Sequence, residues 1–115
     1  YREYIDREDE LPFDQHCLLS LIAPRHLAVG SAEEDIWADL ESEFISCVLA
    51  NEAYEMYGMR GLIYGDTLPK AKCVLDQGAI CYHIRHGLHY FSREDWQIYM
   101  SFIEKTMRKA KETNK

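Results

Sequence analysis

No apolar run in these 115 residues approaches the length of about 18 that a membrane span requires. The opening stretch YREYIDREDE has the wrong composition for a signal peptide. The cysteines Cys17, Cys47, Cys73 and Cys81 are scattered and form no CxxC pair, so they make neither a zinc site nor a disulfide scaffold. Free buried thiols are the expectation. Internal repeats and low-complexity stretches are missing. A basic surface is missing too: 13 Lys and Arg stand against 20 Asp and Glu, for a net charge of -7. Non-specific DNA or RNA binding needs such a surface to replace counterions. The one basic run, over residues 105–115, is mixed with Glu112 and reads as a solvated helix end. Neither a nucleic acid nor a membrane is therefore an expected partner, and no compartment follows from the sequence.

What is present is globular. The chain is 47% hydrophobic, 29% charged and 12% aromatic, enough for one domain, or part of one, with a modest core. Asp14 is a plausible N-cap, and QHCLLSLIA behind it places Leu18, Leu21 and Ile22 at helical spacing until Pro24. The run RHLAVGSA predicts a buried strand over 25–31. An acidic loop follows. Asp39 or Ser42 can cap a helix over 40–57, with Ile45, Val48, Leu49, Ala53, Met56 and Tyr57 as its stripe and Gly58 as its stop. The turn-rich stretch 59–78 reads as a long ordered loop. AICYHIR predicts a second strand over 79–85. Ser92 and Asp95 form a capping-box start to a last helix over 93–110, striped by Trp96, Tyr99, Met100, Ile103 and Met107. Strands alternating with helices imply an α/β fold: two adjacent parallel strands joined by a crossover and flanked by three helices.

The stretch CYHIRHGLHYFSREDW spaces His83, His86 and His89 three apart. On a helix that pattern would converge on a metal. On a strand, side chains alternate faces, so His83 and His86 point apart, and no metal is expected. His89 lies just past the carboxyl end of one strand. The other strand runs into a loop bearing Glu33, Glu34, Asp35 and Asp39. In open parallel sheets, function collects at carboxyl-end loops. An acid followed 54 residues later by a histidine matches the order Ser, acid, His of a hydrolytic triad, in which the carboxylate fixes the imidazole tautomer. The alternative is a surface histidine beside a solvated acidic loop.

The segments LPFDQHCLLSLIAPRHLAVGSAEEDIWADLESEF and GAICYHIRHGLHYFSREDW resemble the C-terminal third of the glucuronoyl esterase family, related to acetyl xylan esterases within the α/β-hydrolases. The motifs run in order over residues 11–104: a DQH helix start, an APR strand entry, an SAEEDxWAD loop, a strand-loop of the HiRxGxH kind, and an Asp-Trp pair opening the last helix. The resemblance implies the C-terminal part of an α/β-hydrolase three-layer sandwich, with residues 1–115 as a single partial domain. It implies serine-type hydrolysis of carbohydrate carboxylic esters, without a cofactor. His89 falls on the catalytic-histidine position and Asp35 on that of the triad acid, with Glu34 and then Glu33 as fallbacks. Trp37 is a substrate-binding candidate, set against plain packing. His16, Arg25 and Arg85 fall in motifs that look structural, and His83 and His86 in structural or exposed positions.

The chain departs from the family pattern where the position after Leu40 lacks the usual proline and where Cys17 replaces a bulky aromatic. More consequentially, Ser20, Ser31, Ser42, Ser46, Ser92 and Ser101 all lack Gly-x-Ser-x-Gly flanks. The expectation is the acid and histidine of a triad without the nucleophile-bearing N-terminal portion, inactive alone, and self-associating through a strand edge left without its neighbour. The alternative is a non-catalytic α/β interaction or oligomerisation module.

Overall fold

The computed structural model describes residues 3, 5–12, 14–35, 39–65 and 69–113. A 3-10 turn, Glu8–Glu10, interrupts the polar opening segment. Helix α1, Gln15–Ser20, starts at Asp14, whose backbone is extended and whose side-chain carboxylate accepts from the Gln15 amide at 2.7 Å. It is shorter than its apolar spacing predicts, because residues 21–24, Pro24 among them, close into turns. Leu18 and Leu21 are exposed, and it is Leu19 and Ala23 that reach the core.

Strand β1, Leu27–Ala32, lies parallel to a strand over Ile80–Arg85, with Leu27 opposite Ile80 and Ala32 opposite Arg85. The expected parallel pair is therefore present, shifted by one or two residues. Between them in the chain lies one strand that composition did not reveal: β2, Val74–Leu75, inside the stretch read as loop. It pairs antiparallel with the Ile80–Arg85 strand, here β3, giving the order β1-β3-β2. Every residue of β3 is buried, as expected of a central strand covered on both faces.

The expected 40–57 helix is two helices, α2 (Leu40–Leu49) and α3 (Asn51–Glu55), meeting at Ala50. Of its two candidate caps, Asp39 is the one used, accepting from the Ser42 amide at 3.1 Å and the Ser42 hydroxyl at 2.7 Å. Those bonds hold the Asp39 carboxyl below its ordinary range. The buried face is Phe44, Cys47, Ala50 and Tyr54; Ile45, Leu49, Met56 and Tyr57 are exposed, so the predicted stripe is rotated. Aromatic packing explains the rotation. Phe44 tilts onto Tyr82 at 5.6 Å, and the Tyr54 hydroxyl donates to the Arg25 carbonyl at 2.6 Å.

Helix α4, Arg93–Thr113, begins with the reciprocal box that Ser92 and Asp95 predict: the Ser92 amide donates to Asp95 at 2.9 Å, and the Asp95 amide to the Ser92 hydroxyl at 3.2 Å. Asp95 and Phe102 face inward, while Trp96, Met100, Ile103 and Met107 stand exposed. The core joins α2, α3 and β3 through Phe44, Tyr54, Ile80, Tyr82 and Ile84, with Leu62 added from the segment between α3 and β2. Among the described residues no helix is long and apolar enough to cross a membrane.

Candidate active site

Because β1 and β3 are parallel, both deliver the chain at the same edge of the sheet. The pairing continues past the strands. The Glu33 amide donates to the Arg85 carbonyl at 2.9 Å and the Glu34 amide to the Gly87 carbonyl at 3.0 Å. Residues 33–35 and 86–91 thus become one surface. On it the His89 Nδ1–H donates to Asp35 Oδ2. The two halves of this pair differ in environment. The Asp35 side chain is 5% exposed and the His89 ring 85% exposed. A carboxylate accepting at Nδ1 selects the tautomer whose Nε2 carries the lone pair, so the outward nitrogen is the basic one. Among the described residues no serine or cysteine engages that nitrogen.

A second pair stands beside the first: His86 Nδ1 and Glu33 at 2.6 Å, both exposed. Glu34 is exposed and has no side-chain hydrogen bond to another described residue. Of the three candidate acids, only Asp35 meets His89. Trp37 lies outside the described residues. Beside the pair opens a cleft of about 440 Å³ lined in part by Gly30, Asp35, Glu43, His89, Phe91 and Tyr99. Glu43 accepts from the Ser31 hydroxyl across it. Nothing in the sequence distinguished Glu43 from an ordinary acid in the first turn of a helix.

A buried polar network lies beneath. His83 Nε2 donates to Asp95 Oδ1 at 2.7 Å and Arg85 Nε to Asp95 Oδ2 at 2.8 Å. The remaining His83 nitrogen, Nδ1, is buried without a partner among the described residues. Burial alone would raise the Asp95 carboxyl. Hydrogen bonds from His83, the Ser92 amide, Arg85 and the Ser92 hydroxyl outweigh it and bring it down to about 2. Sequence reasoning recognised Asp95 only as a cap, since its two strand partners are 10 and 12 residues away. Burial pushes the Cys47 and Cys81 thiols up to about 12, which leaves them poor nucleophiles. No group of three or more potential ligands among the described residues could hold a metal ion.

Parallel strands feeding a carboxylate–histidine pair at their carboxyl ends define a partial α/β-hydrolase fold. The family model for fungal glucuronyl esterases matches residues 1–58. The chain is 39% identical over 107 residues to a carbohydrate esterase from an unknown prokaryotic organism, covering 93% of this chain and 24% of that protein. It is 32% identical over 59 residues to the 4-O-methyl-glucuronoyl methylesterase of Schizophyllum commune, covering 51% of this chain and 15% of that protein. Among solved structures it superposes on a promiscuous CE15 esterase from a marine bacterial metagenome with a TM-score of 0.83 at 39% identity, over 89% of this chain and 25% of that one. For a glucuronoyl esterase from Solibacter usitatus the values are 0.80 and 40%, over 90% and 26%. The chain belongs to the glucuronyl esterase family and corresponds to a C-terminal segment of its fold. It spans about a quarter of the length of the esterases it matches over most of its own length.

Proposed function

We propose that this chain supplies the acid–histidine half of a serine-type carboxylic ester hydrolase acting on carbohydrate esters. The observation that carries the reading is the bond from the exposed His89 to the buried Asp35 at the carboxyl ends of two parallel strands. Asp35 orients the ring and stabilises the imidazolium. His89 Nε2 takes the proton of a serine hydroxyl as it attacks the ester carbonyl, then returns it to the leaving alcohol. The serine and the oxyanion donors come from polypeptide outside these 115 residues, which contain no Gly-x-Ser-x-Gly elbow. Similarity to a glucuronoyl methylesterase and a glucuronoyl esterase supports esters of glucuronic acid as the substrate class. Asp35 is the acid and Glu33 serves His86 instead.

The test is hydrolysis of methyl glucuronate esters by the protein that joins this chain to its nucleophile-bearing portion. His89→Ala is expected to lower kcat by about 10³-fold or more, and Asp35→Asn by about 10²- to 10⁴-fold. The 115-residue chain alone is expected to give no turnover above buffer, since a histidine–acid pair without an aligned nucleophile lacks covalent catalysis. Full activity of the His89→Ala protein would overturn the assignment.

A further inference from the structure

We propose that Arg85 is the positioning residue for His89, and that Asp95 holds Arg85 to that task. The His89 ring is 85% exposed, so packing does not fix it. What brings it within reach of Asp35, which orients it, is the backbone on either side. The Arg85 guanidinium donates to the carbonyls of Leu88, at 2.9 Å, and Tyr90, the two residues that bracket His89. It also donates to the His86 carbonyl at 3.0 Å, and the Tyr90 ring covers it at 4.3 Å. The loop after β3 is therefore wound around one cation, with three of its carbonyls turned inward.

Arg85 can act as that centre because it is itself immobile. It is 3% exposed, sits in the last position of the central strand, and spends its Nε–H on Asp95. Asp95 is fixed in turn by the first turn of α4 and by His83. The acid-bearing loop shares the same frame, since the Arg85 carbonyl receives the Glu33 amide. Gly87 completes the arrangement. Its φ of +112° turns the chain back, and a Cβ there would stand 2.9 Å from Arg85 Nη1 and 3.0 Å from the Tyr90 hydroxyl. A planar fork with five donors can serve three carbonyls and a carboxylate at once, whereas an ammonium is a single point of donation.

The consequence for catalysis rests on the reading of His89 as the triad base, but the positioning is measurable without it. The readout is nitrogen-15 NMR of the His89 ring in this chain, which reports how much of the neutral ring carries its proton on Nδ1. In Arg85→Lys, the ratio of docked Nδ1–H ring to undocked ring is expected to fall about fivefold to tenfold, as loss of one or two well-placed hydrogen bonds implies. Core amide signals of β1 and β3 should persist. Glu33→Gln, which touches only the His86 pair, should leave the His89 signal unchanged. If Arg85→Lys does not fold, Gly87→Ala decides, because it leaves the Arg85 Nε–H bond to Asp95 in place while its Cβ presses on Arg85 Nη1 and on the loop that the guanidinium holds; the same loss of Nδ1–H is expected. A folded variant of either kind with the native His89 signature would overturn the proposal. A His89→Ala esterase that stays active would instead overturn the proposed function and leave this result standing.

Discussion

Asp95 shows how much one side chain can carry. It caps α4, receives His83 and Arg85 from β3, and does so while only 5% exposed. Its carboxyl lies at about 2 in the fold against an ordinary value of 3.8. A depressed carboxyl contributes stability that is fully present above the unfolded value and is lost as pH falls towards the folded one. The window is therefore about pH 4 down to pH 2, and the size about 2 kcal/mol. Denaturation of the wild type and Asp95→Asn should show a stability gap at pH 6 that narrows by about that amount at pH 2. A gap independent of pH would contradict the charge assigned to Asp95. The cap itself was readable from the Ser92 and Asp95 spacing. The partnership with His83 and Arg85 was not, because it joins a strand to a helix across a loop whose path no local rule sets.

At the scale of elements, the pairing of β1 with β3 organises the rest. Apolar runs and glycine punctuation were enough to find both strands, and the crossover rule fixed them as parallel. The two-residue β2 escaped, since so short a strand exists only because β3 offers it a ladder. The α2 and α3 stripe was misjudged because hydropathy alone weighs Ile45 and Leu49 as core, whereas the volume available beside Tyr82 admits Phe44. Gly30 illustrates the fit between layers. It lies opposite His83 in the parallel register, and a Cβ there would stand 2.4 Å from the His83 ring and 2.5 Å from the Tyr99 hydroxyl. The His83 ring is held by Asp95 and cannot easily retreat. Gly30→Ala should cost about 1–3 kcal/mol, read as a lowered urea midpoint. An unchanged midpoint would mean that the contact between β1 and α4 is loose.

The whole molecule presents surfaces that a finished domain would cover. Trp96, Met100, Ile103 and Met107 follow one another along α4 at spacings of four, three and four, from 47% exposed at Ile103 to 59% at Trp96. In the order β1-β3-β2, the outer edge of β1 has no neighbouring strand among the described residues. Open edges and contiguous apolar faces promote association. Sedimentation of the isolated chain at micromolar concentration should therefore show concentration-dependent self-association, reduced by the double substitution Met100→Lys and Ile103→Lys. A monomer across the whole range would refute it.

The sequence by itself determined the two strands, their order, the caps at Asp14 and Ser92, and the family, because each is written in local periodicity or in contiguous motifs; between Asp39 and Ser42 as the cap of α2 the structure chose Asp39. It also placed His89 and the acidic loop at one edge of the sheet, since parallel strands leave no other choice. The family resemblance ranks Asp35 ahead of Glu34 and Glu33, but composition and spacing leave the three open, and only the tertiary structure shows which one meets His89. Three neighbouring carboxylates are alike in composition and differ only in direction. The extension of the β1–β3 ladder through Glu33 and Glu34 ties those two by their amides, turning Glu33 towards His86 and sinking Asp35 beneath His89. The tertiary structure also decided the place of Arg85, which the sequence presents as the end of a strand and the fold makes the centre of a loop.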